Sequence, residues 1–512
     1  MRGAMRRTPA IALAIVVITV FLSPLQRELY VGDETKYSQV VREMRDGSFF
    51  LPTLEGSPFT HKPPLHFWAV DLLTHVFGVF SIWSFVLPSL VAFVLLLLLM
   101  RKMGGAYAAF VCGTSLLMWG SAQTARMDVA FAGLLALAAY LINRADGRLT
   151  VGAGIATGFA FLVKGPMAPV ITLALFAFES IRRRRRPVGR DALALLPMLL
   201  VPLLWLVPAI VIGGEPYWRE IFYKQTVGRA VGAWVHKSPP WFYVVRAPLT
   251  LMPWFFLTIA ALVAAWRGND DRAKFAVSWM LAVFVPYTLL SSKLDVYMIT
   301  MIPAMALLVG RFVDAHDASG DAWGRRANSV MLALFASIGV VGLVVQPAQI
   351  KEEDAALIAR IDVRMLFGVL LAASVIALVT TWTRPRSLSL STLATGLVLP
   401  VTLGYAAIAL VPLANEHAST RPLVGALEEQ DVPAERVGLF VTPHLWTRGM
   451  NPAFSRARHL DAEELHALTP EQRPELLVAR RKDAAKIEAV LRDYRKVDEL
   501  RMIGKWFDVY RR

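Results

Sequence analysis

The sequence predicts an all-α polytopic membrane protein that carries a small α/β soluble domain after its last span. Three observations predict this. Hydrophobic residues make up 56% of the 512-residue chain and charged residues only 18%, which is outside the usual range of soluble domains. Apolar runs close to the ~20 residues needed to cross a bilayer recur up to about residue 413. From residue 414 onward the composition changes to 17 Lys/Arg and 16 Asp/Glu. The expected boundaries are therefore 1–413 for the membrane domain and 414–512 for the soluble one.

Taken in order, the apolar runs lie near residues 8–27, 81–100, 106–122, 127–143, 150–163, 166–181, 191–213, 246–266, 275–290, 296–312, 327–345, 365–382 and 388–412, which predicts about 13 transmembrane helices. Met1 to Arg7 resembles a signal-peptide n-region. No small-x-small cleavage site follows before Arg27-Glu28, so the first run is read as an uncleaved span. With the N-terminus in the cytoplasm, alternation puts Arg101/Lys102, Arg144/Arg148, Arg182–Arg186 with Arg190, Arg267/Arg272/Lys274, Arg311/Arg325/Arg326 and Arg384/Arg386 on the inner side. Every one of these gaps is positive or neutral, as the positive-inside rule requires. The net charge of +15 is thus a topology signal rather than a nucleic-acid footprint, and the five-arginine run reads as a cytoplasmic anchor. Cys112 is the only cysteine and lies within an apolar run, which excludes a disulfide framework and a thiolate metal cage.

The residues with chemical potential fall on the outward side. Segment 28–80 carries Asp33 and Glu34 ahead of Tyr37, Val40, Val41 and Met44, the spacing of an amphipathic helix at the membrane surface. A plain helix-capping role for Asp33 is the alternative. Further on, Lys62 sits in a proline-stiffened turn, His61-Lys62-Pro63-Pro64, before a second amphipathic stretch with Phe67, Trp68 and Leu72. Arg126 and Asp128 sit at the outward end of the fourth run, and Lys164 precedes Gly165-Pro166 inside another. Charges at such depth are candidates for function unless they snorkel to the interface. Ser291-Ser292-Lys293-Leu294-Asp295 reads equally well as a structural turn. Loop 214–245 interleaves Tyr217, Trp218, Tyr223, Lys224, Arg229, His236, Lys237, Trp241 and Tyr243, which suits sugars and phosphates but also describes an aromatic belt. His61, His66 and His236 lack metal-site spacing. In the soluble domain Val437–Thr442 and Leu476–Ala479 read as strands and Asp483–Tyr494 as a helix. No catalytic motif stands out there.

Gly32-Asp33-Glu34-Thr35-Lys36-Tyr37, Glu55-Gly56-Ser57-Pro58, Lys62-Pro63-Pro64-Leu65, Arg126-Met127-Asp128, Lys164-Gly165-Pro166 and Ser291-Ser292-Lys293 with Tyr297 and Pro303 occur in one order along residues 30–305. In this the chain resembles the bacterial polyprenyl-phosphate-sugar-dependent glycosyltransferases of the GT-C fold, most of all the aminoarabinose lipid A transferase group, and more distantly the protein O-mannosyltransferases. The resemblance implies Asp33 as the catalytic carboxylate, with Glu34 and Asp128 beside it. Lys62, Arg126, Lys164, Arg229 and Lys293 become candidates for the donor phosphate, and Tyr37, His61, His236 and Tyr297 for sugar or acceptor. A Glu-His pair common in that family is missing from Tyr223-Lys224-Gln225, where only Arg229 can be matched.

A polyprenyl phosphate donor is anchored by its lipid, so the chain needs no nucleotide-binding loop. Displacement at the anomeric carbon builds charge on the departing phosphate, which prearranged cations stabilise. A hydroxyl acceptor would lose its proton to Asp33, and a single carboxylate opposite the leaving group implies inversion. The sugar the resemblance suggests is 4-amino-4-deoxy-L-arabinose, moved to lipid A or another envelope acceptor at the periplasmic face of a bacterial inner membrane. No cofactor is expected, a divalent ion held by Asp33, Glu34 and Asp128 being the less favoured alternative. The rival readings are a lipid-linked sugar transporter or flippase, a protein O-mannosyltransferase-like enzyme, and a non-catalytic scaffold.

Overall fold

The structure is a computed structural model and describes residues 2–30, 32–54, 56–221, 238–317, 322–344, 363–384, 387–440, 456–502 and 504–512. Each of the thirteen apolar runs is mostly helical over its described residues, with breaks such as those after Leu22, at Ser115 and between Thr250 and Phe255. Helix is the form that lets a single segment satisfy its own backbone in lipid. Length and apolarity qualify fewer of them as spans. Among the described residues six helices are long and apolar enough to cross alone, or seven if the bent pair Phe242–Thr250 and Phe255–Arg267 is one span. The number of crossings expected from the runs, about 13, therefore exceeds what helix length alone supports.

The chain divides into two compact units, and the division is not a single cut. One comprises Met1–Ser23, Thr60–His66 and Leu87–Ala407, the other Pro24–Phe59, Phe67–Val86 and Ile408–Arg512. In the first unit, α1 (Arg2–Leu22), α4 (Ile82–Thr114) from Leu87 onward, α5 (Leu116–Ala122), α6 (Asp128–Arg144), α7 (Val151–Lys164) and α8 (Met167–Arg182) hold most of the runs up to residue 181. Two runs that the sequence separates, 81–100 and 106–122, join in α4, where Gly105 (φ 83°) supplies the break that the charged gap predicted. The helix Leu195–Arg219 is broken at Gly214 (φ 66°, ψ −161°), the position at which the sequence ends the run and begins the loop, and a short helical segment follows the break. Core and periphery are clear from burial: the apolar window of Asp295–His316 is 83% buried, that of Val363–Thr383 only 17%. A polar contact locks two of the outer helices together, Asn328 Nδ2 donating to Ser391 Oγ at 2.9 Å with both residues buried.

At the arginine-rich end, ion pairs join the gaps between helices. Arg182 and Arg183 both bind Glu179, which is wholly buried, and reach Asp271 at 2.6 and 2.8 Å. Arg311 holds Asp270 at 2.9 Å.

The second unit contains α2 (Asp33–Asp46), most of α3 (Leu65–Phe77) and the C-terminal sheet. Helix α2 confirms the amphipathic pattern: Val40, Val41 and Met44 are buried. The two-stranded hairpin of β1 (Thr53–Leu54) and β2 (Ser57–Pro58) follows it, anchored by Glu43, which accepts from Thr53 Oγ1 at 2.8 Å and Gly56 N–H at 3.1 Å. The sheet has the order β4-β3-β5-β7-β6, formed by Arg458–His459 (β4), Val437–Phe440 (β3), Leu476–Arg480 (β5), Lys505–Arg511 (β7) and Arg495–Met502 (β6). Strands β4, β3 and β5 are mutually parallel, whereas β7 runs antiparallel to both β5 and β6. Alternation along β5 sends Leu476 and Val478 to one core with Leu423 and Leu427, and Leu477 and Ala479 to another with Leu465, Ile487 and Val490. Helical segments therefore cover both faces, which is the α/β arrangement. The helix expected over Asp483–Tyr494 is instead a 3₁₀ turn, Arg481–Ile487, followed by one turn of α-helix, Glu488–Leu491. Ile487 (φ −124°, ψ 21°) breaks it, and both Ile487 and Val490 reach the core.

Candidate functional site

Within the first unit, the start of α6 and the end of α7 bring together residues far apart in sequence. Asp128 opens α6, where the helix dipole favours a carboxylate, and Lys164 ends α7, where it favours a cation. Gly165 takes φ 93°, ψ −153° directly after Lys164, a backbone region open essentially to glycine alone. The chain turns there without displacing the lysine. Ser89 of α4 donates to the Arg126 carbonyl at 2.6 Å and so fixes the residues ahead of α6.

The Asp128 carboxylate is 3% exposed and has both oxygens engaged. Lys164 Nζ bonds Oδ1, and Arg126 Nε donates to Oδ2 at 3.1 Å. Lys62 acts on the same carboxylate through its charge. Three cations thus face one carboxylate, leaving a positive surplus suited to an anion with more than one oxygen. Lys164 is further held between two rings, 5.2 Å from the Tyr297 centroid and 5.8 Å from that of Phe131. Tyr297 stacks on Tyr287 at 5.1 Å. Arg126 is the more open cation, its side chain 35% exposed against 10% for Lys164. His66, at the start of α3, is buried near Asp128; burial pushes its imidazole down to about 4 despite the opposing pull of that carboxylate.

Lys293 behaves differently. Its ammonium donates to the carbonyl oxygens of Ser238 (3.1 Å) and Leu290, and the residue is 3% exposed. It closes the turn after the helix Asp271–Leu289, which is the structural role the sequence left open. Asp295, in the same turn, takes a bidentate bond from Arg246 at 2.9 and 2.5 Å. His61 is exposed. Arg229 and His236 lie outside the described residues.

In the second unit Asp33 occupies the first turn of α2. Gly32, the residue before it, has φ 134°, and its N–H is taken by Thr35 Oγ1 at 3.2 Å. The Asp33 side chain is 38% exposed and pairs with Lys36 at 2.6 Å. Glu34 is not presented in the same way: it is buried, bonds Arg27, and accepts the Tyr30 N–H at 2.9 Å. The adjacent carboxylates therefore divide into an accessible one and one that fastens the preceding segment. Tyr37 is buried against Phe67 at 5.5 Å, a packing position rather than an open sugar platform. Sequence reading missed Asn415. It is 2% exposed, accepts from Glu28 N–H at 3.1 Å and donates to the Gln26 carbonyl at 2.7 Å, so a helix of the C-terminal part grips the chain just ahead of Asp33. Nothing in local sequence signals such a contact, since the partners are nearly four hundred positions apart. Among the described residues no group of three His, Cys, Asp or Glu side chains is placed to hold a metal ion.

Residues 61–212 match the family described as dolichyl-phosphate-mannose-protein mannosyltransferase. Two similar proteins carry the name undecaprenyl phosphate-alpha-4-amino-4-deoxy-L-arabinose arabinosyl transferase. That of Serratia proteamaculans is 28% identical, covering 67% of this chain and 66% of its own; that of Pseudomonas aeruginosa strain LESB58 is 29% identical, covering 68% of each. The matched region spans about two thirds of the length of these relatives. The crystal structure of ArnT from Cupriavidus metallidurans bound to undecaprenyl phosphate superposes with a TM-score of 0.75, covering 98% of this chain and 97% of that one at 19% identity. This chain has the GT-C fold and resembles the aminoarabinose transferases. The apo form of the same crystal protein gives a TM-score of 0.73. In the GT-C chain the cluster around Asp128 and the turn at Asp33 fall in the stretch whose ordered motifs carry the resemblance.

Proposed function

We propose that the protein is an integral-membrane inverting glycosyltransferase that takes a sugar from a polyprenyl phosphate and delivers it to lipid A or another envelope acceptor, with 4-amino-4-deoxy-L-arabinose as the favoured sugar. The observation that carries this reading is the buried Asp128 carboxylate with Lys164 and Arg126 bonded to it and Lys62 acting on it. Such a cluster fits a lipid phosphate, and the names of the relatives supply the lipid and the sugar. The site faces the periplasm across a bacterial inner membrane, and the N-terminus is cytoplasmic.

In the reaction the acceptor oxygen attacks the anomeric carbon while the bond from that carbon to the phosphate oxygen breaks. The electron pair leaves with the lipid phosphate, whose charge Arg126, Lys164 and Lys62 stabilise before the step occurs. A hydroxyl acceptor passes its proton to Asp33, while an ionised phosphate acceptor needs no base. Asp128 organises the cations, Glu34 holds the Asp33 turn through Arg27, and Lys293 serves the fold. The reaction as proposed requires no metal, so activity should persist in a chelator.

The test is mass spectrometry of polyprenyl phosphate lipids and envelope glycans in cells with the wild-type protein, without it, or with Lys164→Gln. One polyprenyl phosphate sugar should accumulate in both deficient strains while one envelope molecule loses the same sugar mass. Unchanged lipids and glycans, with the protein present in the wild-type strain, would overturn the transferase reading and favour transport.

A further inference from the structure

The arginine run is not consumed by the ion pairs at its end of the bundle. Arg182 and Arg183 hold Glu179 and Asp271, Arg185 donates to the Asp146 carbonyl at 2.8 Å, and Arg148 reaches Asp191 at 3.3 Å. Arg184, Arg186 and Arg190 are exposed, and among the described residues no carboxylate pairs with them. An apolar groove of about 650 Å3 lies along the helix Leu195–Arg219 where the start of α7 meets it, lined by Val151 of α7 and by Leu193, Leu196, Pro197, Leu200 and Leu204 among others, with Leu193 three residues past Arg190.

Two glycines of α7 create the crease. A Cβ on Gly154 would lie 2.1 Å from the Ala194 carbonyl oxygen, and one on Gly158 would lie 2.7 Å from Val201 Cβ. The helices therefore touch where side chains would otherwise separate them. Leu196, Leu200 and Leu204 recur at helical spacing and are 55%, 55% and 73% exposed, so they form one wall of an open channel. Both walls start at the basic turn. Val151 follows Arg148 by three residues, Leu193 follows Arg190 by three, and the Arg148–Asp191 pair ties the two entrances together.

We propose that this groove seats one acyl chain of an anionic glycerophospholipid whose phosphate rests on Arg184, Arg186 and Arg190. Guanidinium forks match phosphate oxygens, and basic pockets between membrane helices select anionic head groups. A zwitterionic lipid brings its own ammonium and gains less from three arginines. The site is separate from the Asp128 cluster. Helix α7 runs from Val151 at the groove to Lys164 at that cluster, 14 residues or about 20 Å along its axis, which puts the two sites at opposite ends of the bundle.

Native mass spectrometry of the full-length protein in detergent tests this with phosphatidylglycerol, phosphatidylcholine and undecaprenyl phosphate as probes. Phosphatidylglycerol should be retained about tenfold or more over phosphatidylcholine, since each arginine near an anionic head group contributes a factor of about five. Replacing the three arginines together (Arg184→Gln, Arg186→Gln, Arg190→Gln) should bring retention down to the phosphatidylcholine level. Leu200→Trp, an exposed change that fills the groove and keeps every arginine, should do the same. Equal retention of the two phospholipids overturns the proposal. So does phosphatidylglycerol binding that survives Leu200→Trp, which would mean diffuse charge attraction, and so does undecaprenyl phosphate retention that falls with Leu200→Trp, since the proposed function seats that lipid at the Asp128 cluster and not in the groove.

Discussion

Replacing Lys164 by Met removes one of two cations bonded to a carboxylate that is 3% exposed. Breaking a buried pair from one side costs about 3–5 kcal/mol, whereas replacing both partners costs far less. Lys164→Met should therefore lower thermal stability in detergent more than the double change Asp128→Asn with Lys164→Met, while both abolish sugar transfer. Equal destabilisation by the two would argue against the pairing. His66 gives a pH signature. Its folded value, about 4, lies below the ordinary 6.5, so between these values the unfolded chain binds more protons and stability rises with pH. The stabilisation is complete above about 6.5 and is lost as pH falls toward 4. Thermal unfolding followed from pH 7.5 to 4.5 should show the loss, and His66→Gln should flatten that part of the curve. For Asp33, whose side chain is 38% exposed and pairs with Lys36, Asp33→Asn should abolish transfer to a hydroxyl acceptor without loss of folded protein. Wild-type turnover with such an acceptor would remove Asp33 from the role of base.

At the scale of elements, the turn that carries Asp33 depends on a helix far away in sequence. The helix Val411–Ala418 carries Asn415, whose side chain satisfies one donor and one acceptor of the 26–28 backbone. Asn415→Ala removes both bonds from backbone groups that are only partly buried, so the loss should fall at or below the low end of the roughly 1–3 kcal/mol that an unsatisfied buried group costs. Limited proteolysis should cut the 24–32 segment faster in this variant, and transfer should fall with it. Digestion at the wild-type rate would show that the grip is dispensable. The ends of α6 and α7 explain why the anion cluster is legible only in part. Asp128, Arg126 and Lys164 stand out because charges are rare in apolar runs, and a sequence shows rarity well. Their mutual bonding depends on two antiparallel helices ending at one level, which no local pattern states. Lys293 was a candidate as well, yet its ammonium bonds the Leu290 carbonyl of its own turn and the Ser238 carbonyl from a distant part of the chain.

For the molecule as a whole, sidedness follows from charge, and its test is simple because the native cysteine is buried. Ser57→Cys in intact cells should react with a membrane-impermeant maleimide, Arg184→Cys only after permeabilisation, and the wild-type chain with neither treatment. The opposite pattern would invert the topology. A composition change marks where the soluble sheet begins, but the compact unit built on that sheet also takes in Pro24–Phe59 and Phe67–Val86, segments whose composition gives no hint of the association.

The sequence by itself determined that the chain lives in a membrane, where its apolar helices broadly fall, and which charges are out of place. Each follows from composition or from a period within one segment, where the physics is local burial and backbone hydrogen bonding. Only the tertiary structure decided which of those charges act together. It separated Asp33 from Glu34 by giving Glu34 to Arg27, joined Lys164 to Asp128, kept Lys293 for the fold and set free arginines beside an apolar groove. Those outcomes depend on where separate helices end and how closely they approach, and a charge finds its partner by distance in space.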